Sequence, residues 1–101
     1  MVFDISKITG IDEYTEKHNK DKNDHPRTIF QKGDKAFLVV NKNTIELRTD
    51  SELKKLLVEK YESVMESRYF GRGGIEIVVA GHQLSEPELC DLVRLSYNLT
   101  N

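Results

Sequence analysis

Five consecutive apolar residues, Ala36-Phe37-Leu38-Val39-Val40, constrain this chain more than any other feature. A strand that shows one face to water alternates apolar and polar side chains, whereas one that is apolar throughout has both faces at least partly covered. The run is far shorter than the ~20 residues needed to cross a bilayer. It therefore predicts an internal strand of a packed sheet. Its neighbours supply the partners. Thr28-Ile29-Phe30 precedes it across Lys32-Gly33-Asp34, where glycine suits a tight hairpin turn. Asn41-Lys42-Asn43 forms a second turn, because asparagine tolerates the left-handed region, and Thr44-Ile45-Glu46-Leu47-Arg48 then alternates as a half-buried strand does. These segments read as a three-stranded antiparallel meander.

After the meander the period changes. Thr49 or Asp50 can cap a helix over 50–60 with Leu53, Leu56, Leu57 and Tyr61 on one stripe. Ser67-Arg68-Tyr69-Phe70 and Ile75-Glu76-Ile77-Val78-Val79 flank Gly71-Arg72-Gly73-Gly74, which reads as the turn of a second hairpin. Ser85 with Glu88 makes a capping box for a helix over 85–97, whose stripe is Leu89, Leu92, Val93 and Tyr97. Leu56, Leu92 and Val93 are expected in the core. Ahead of the meander, Ile5, Ile8, Ile11 and Tyr14 recur at a spacing that suggests a short amphipathic helix weakened by Gly10, and the charged stretch 16–24 reads as a loop. The expected fold is a single α+β domain spanning 1–101, ordered α-β-β-β-α-β-β-α, with five antiparallel strands packed by helices.

Charge and cysteine content narrow the function classes. Fifteen Lys and Arg against seventeen Asp and Glu give a net charge of −2, so any attraction to a polyanion must come from a local patch. The single Cys90 can form no intrachain disulfide and lies beside a buried stripe, which suits an inert thiol. The first residues lack the basic start and apolar run of a signal peptide, so the expected location is cytoplasmic, with no membrane partner.

Chemistry-bearing residues are sparse. His18, His25 and His82 lack the converging spacing of a metal site, and no metal or cofactor is expected. The glycines at 71–74 are not followed by the helix a phosphate-binding fingerprint requires. There is no nucleophile elbow, no His-Glu helical pair, and no evident pair of carboxylates in an apolar setting, so catalysis is not expected. Arg68, Tyr69 and Arg72 together could meet a nucleic-acid backbone or an exposed base. Pairing of the arginines with Glu62, Glu66 or Glu76 is the competing arrangement.

An ordered set of segments resembles the MmcQ/YjbR-like family. The first are Asp24-His25-Pro26, the stretch from Ile29-Phe30-Gln31-Lys32-Gly33 to Leu38, and Arg48-Thr49-Asp50-Ser51-Glu52-Leu53; the later ones are Arg68-Tyr69-Phe70-Gly71-Arg72-Gly73-Gly74, Glu86-Pro87-Glu88-Leu89 and Ser96-Tyr97-Asn98-Leu99. The resemblance implies a curved antiparallel sheet packed by helices, of the secretion-chaperone-like or frataxin-like kind. It also implies DNA binding by "double wing" hairpins. The first helix is shorter than the family's, and Ile75 stands where an aromatic residue is common there. The resulting expectation is a small non-enzymatic binding module that contacts DNA weakly and with little sequence preference, through Lys42, Arg48, Arg68, Tyr69 and Arg72. The alternative is a protein- or peptide-interaction or self-association module using the sheet face or edge.

Overall fold

The computed structural model describes residues 5–81 and 83–100. Six strands and two helices form one α+β unit: β1 (Thr15–Lys20), β2 (Pro26–Lys32), β3 (Lys35–Val40), β4 (Thr44–Arg48), α1 (Ser51–Lys60), β5 (Val64–Ser67), β6 (Gly71–Val78) and α2 (Glu86–Leu99). The strands make one antiparallel sheet in the order β1-β2-β3-β4-β6-β5. Both helices lie against the same main core, α2 through buried Leu89, Leu92, Val93 and Tyr97 and α1 through half-buried Leu53 and Leu57. Among the described residues the opposite face of the sheet carries no helix.

β3 is covered on both sides, and a register irregularity explains how. β2 residues Phe30 and Gln31 pair with Leu38 and Ala36, so Phe37 is an extra residue without a partner on β2. Such a bulge re-aims the side chains around it. Phe37 and Leu38 both join the helix-side core, while Ala36 and Val39 join a smaller cluster with Ile29 and Phe70 on the other face. The ladder to β4 stops at the same place, where the buried Ser96 hydroxyl of α2 donates to the Phe37 carbonyl at 2.6 Å and accepts from the Arg48 amide at 2.8 Å.

Asp50 caps α1 by accepting from the Leu53 amide, and Ser85 and Glu88 form the capping box of α2. Four expectations require correction. The segment 16–24 is not all loop: β1 runs through it as an edge strand, exposed along its whole length. Solvent on both faces removes the apolar alternation that would mark a strand, and edge charges also discourage unwanted pairing. The sheet accordingly has six strands rather than five. The first helix is only a 3-10 turn at Ile5–Lys7, followed by a turn in which Gly10 adopts φ +88°. Ile5, Ile8 and Ile11 are nevertheless buried.

The second hairpin turns earlier than expected. Its turn is 68–70, and the glycines at 71–74 begin β6, with Gly71 alone at positive φ. A short turn followed by a left-handed residue is a standard hairpin closure, so one glycine suffices for it. Finally, Leu56 is 64% exposed and not in the core, whereas Leu92 and Val93 are buried. No residue of α1 is fully buried, because this short helix lies over the β5 and β6 end of the sheet.

Candidate binding groove

On the helix-free face, alternation sends Ile45, Leu47, Ile75 and Ile77 into the core, and leaves Glu46 and Glu76 pointing away from it, directly opposite each other across β4 and β6. Both are almost fully buried, at 2% and 3% exposure. A buried pair of carboxylates therefore exists, in a setting of polar donors rather than the apolar one sought in the sequence. Like charges placed opposite each other repel, and internal donors offset that repulsion. Arg68 clamps Glu76 with Nε and Nη2 at 2.9 and 2.8 Å, and the Thr44 hydroxyl donates at 2.9 Å. Glu46 accepts from the Ser67 hydroxyl, the Tyr69 amide and the Asn41 side chain at 2.8–2.9 Å. Burial acts to raise the Glu76 carboxyl, but the Arg68 and Thr44 bonds outweigh it and hold it below its ordinary value. The same pairing raises Arg68.

These contacts hold the 68–70 turn over the open face, and the turn forms one wall of a groove. The groove encloses about 720 Å³ between the β1–β2 end, the β3–β4 turn and Arg68. Its cations are Arg27, Lys42 and Arg68; His18 and His25 also line it, with Asp21 as the carboxylate. A smaller hollow of about 320 Å³ shares Asp21, Arg27, Asn41 and Arg68 with it and reaches Glu46 and Tyr69. The two hollows adjoin through these shared residues.

Within them, Arg27 donates from Nε to the Asn19 side chain at 2.8 Å and sets its guanidinium 5.3 Å from the centre of the Tyr69 ring. Tyr69 is 40% exposed and meets the Phe70 ring edge-on at 5.0 Å. Lys42 is exposed and has no hydrogen bond or ion pair among the described residues. His18 lies 3.2 Å from the Thr28 hydroxyl and 3.4 Å from Glu16, and His25 lies 3.7 Å from Asp21. Among the described residues no three or more His, Cys, Asp or Glu side chains converge as a metal site would require. His82 lies outside the described residues.

Of the five residues expected to contact a ligand, the structure brings three together. Lys42 and Arg68 line the larger hollow, and Arg68 and Tyr69 the smaller. Arg48 faces the same side but is engaged: its Nε donates to the Ala36 carbonyl at 2.8 Å and its guanidinium sits 5.0 Å over the Phe70 ring. Arg72 lies away from the groove, beside α1, where its carbonyl accepts from Lys54 at 3.1 Å. Comparison with models of protein families, with curated proteins and with solved structures finds no match. The groove must be read from its own chemistry.

Sequence reasoning missed Arg27 and the opposition of the two glutamates, although it named Glu76 as a competing partner for the arginines, and Arg68 pairs with it. Arg27 sits beside Pro26 in a stretch without apolar alternation. Glu46 and Glu76 each stand at the centre of an alternating strand, so their outward direction could have been inferred. Their opposition depends on β4 pairing with β6, which is not adjacent in sequence.

Proposed function

We propose that this chain is a binding module that seats a phosphate-bearing polyanion in the groove, with Arg27 and Lys42 as its main contacts. The observation that carries the proposal is the unpaired Lys42 ammonium on the same concave surface as Arg27 and Arg68, in a chain of net charge −2. Arg68 contributes less than sequence reasoning assigned to it, because Glu76 already holds it. Arg48 and Arg72 are left out. The reading agrees with the DNA-binding role implied by the MmcQ/YjbR-like resemblance, and moves the contact surface from two separate hairpins to the depression between them. A non-enzymatic role is supported by the two buried glutamates, whose four oxygens all accept internal hydrogen bonds. The protein-interaction alternative has less support on the sheet face, where Ala36 and Val39 of β3 are buried in a cluster with Ile29 and Phe70, and keeps the exposed edge strand β1.

Titration with inorganic polyphosphate at low salt tests this reading. Binding should be weak to moderate, with dissociation constants on the order of 1–100 μM, and should fall steeply with added salt. Lys42→Ala should weaken it and lower the salt slope by about one. Absence of binding at roughly 100 μM protein, near the weak end of non-specific affinity, would overturn the assignment.

A further inference from the structure

We infer that the polyanion is a single-stranded nucleic acid, bound with an unpaired base against Tyr69 and its phosphates toward Lys42 and Arg27. This inference rests on the preceding proposal and adds to it the chemistry of the second hollow. The receiving surface is concave: the larger and smaller depressions lie side by side, with Arg27 and Arg68 lining both. A duplex carries its phosphates on a convex surface and keeps its base faces stacked inside, so it cannot offer a phosphate and a ring face to one depression. A single strand can, because its backbone bends and its bases unstack.

Tyr69 has the properties of a stacking platform. It is 40% exposed, yet it is fixed from behind: its amide donates to buried Glu46, and its ring abuts Phe70. Holding the ring in place beforehand lowers the ordering cost of binding. The Arg27 guanidinium lies over the Tyr69 ring, 5.3 Å from its centre, so a base reaches this platform by stacking on the outer face of that guanidinium or by displacing it, and such planes stack on bases as aromatic rings do. At the other end of the depression the Asn43 side chain has no partner among the described residues, leaving a free amide that can both donate to and accept from a base edge. Inorganic polyphosphate can accept a hydrogen bond from Asn43 but has no ring face to stack at Tyr69, so stacking is what separates the two ligands.

The test compares three probes at low salt by fluorescence anisotropy: a labelled oligothymidylate of about eight nucleotides, within the site size of small single-strand binders, the same strand in a duplex, and polyphosphate as competitor. The single strand should bind more tightly than the duplex. Tyr69→Ala should weaken oligothymidylate binding about tenfold or more, Tyr69→Phe should leave it within about twofold, and neither should alter the inhibition constant of polyphosphate. Tyr69→Leu keeps an apolar side chain against Phe70 and serves as a second loss-of-stacking variant, with the circular dichroism spectrum as the check on folding. Equal affinity for single strand and duplex, or no effect of either Tyr69→Ala or Tyr69→Leu, overturns the inference while polyphosphate binding leaves the groove assignment standing. If no probe binds, both fall.

Discussion

Glu46 and Glu76 would repel each other across β4 and β6 if their donors were removed, so the 68–70 turn and the two carboxylates hold one another in place. Arg68 and Thr44 keep the folded-state value of Glu76 below the ordinary 4.5, against the upward push of burial. The folded chain therefore binds that proton more weakly than the unfolded chain. Ionised Glu76 adds stability above about pH 4.5 and loses it as pH falls through the lower folded-state value. The thermal midpoint should drop along that acid limb, and Glu76→Gln should make the limb shallower. Asp21, Glu66 and Glu88 are held low as well, by the His25 amide, Lys54 and the Ser85 amide respectively, so the limb should not vanish. Identical acid limbs in the two proteins would count against this role. Such a pairing was only half legible in the sequence. Alternation within each strand shows which way each glutamate points, but not which strand it will lie beside. Leu56 shows the reverse failure: its spacing fits the helical stripe, yet the short α1 covers only the sheet margin and leaves it in solvent.

At the scale of elements, the β5–β6 hairpin depends on the absence of a side chain at one position. A Cβ at Gly74 would lie 2.5 Å from the Leu47 carbonyl oxygen and 2.6 Å from the Phe70 Cβ, because Phe70 folds back over β6 there. Gly74→Ala should therefore destabilise the protein by about 1–3 kcal/mol through overpacking. At Gly73 the nearest atom to an added Cβ is 3.9 Å away, so Gly73→Ala should change stability by no more than about 0.5 kcal/mol. Chemical denaturation of the two variants checks the contrast, and equal stability would refute the close approach. The run of glycines was visible in the sequence and was assigned to the turn itself. In the structure Gly71 closes the turn and Gly74 admits Phe70, two different uses of the same residue type. β1 is invisible for another reason: a strand with no buried residue leaves no apolar pattern in its side chains, and its charged residues read as loop. The three central strands and the two helix caps were legible because each has a local signature in burial period or capping residue.

Across the whole molecule, stability should be graded from the centre of the sheet outward. β2, β3, β4 and β6 each have a strand on both sides, whereas β1 has one neighbour and no buried residue. Native-state hydrogen exchange should be slowest in those four strands and much faster at β1 amides. Comparable protection of β1 and β4 would show that the sheet opens as one unit. The ends of the described chain are bound together as well. The Tyr97 hydroxyl donates to the Glu13 carbonyl and lies 3.3 Å from the Glu13 amide, Arg94 donates to the Thr9 carbonyl, and Ile5, Ile8 and Ile11 share their core with α2. On a translating ribosome Ile5, Ile8 and Ile11 thus lack the α2 part of their cover until residues near 97 have been made. At ~5–20 residues per second, that delay is roughly 5–20 seconds, during which the incompletely covered segment is a natural client for chaperones that shield apolar chain.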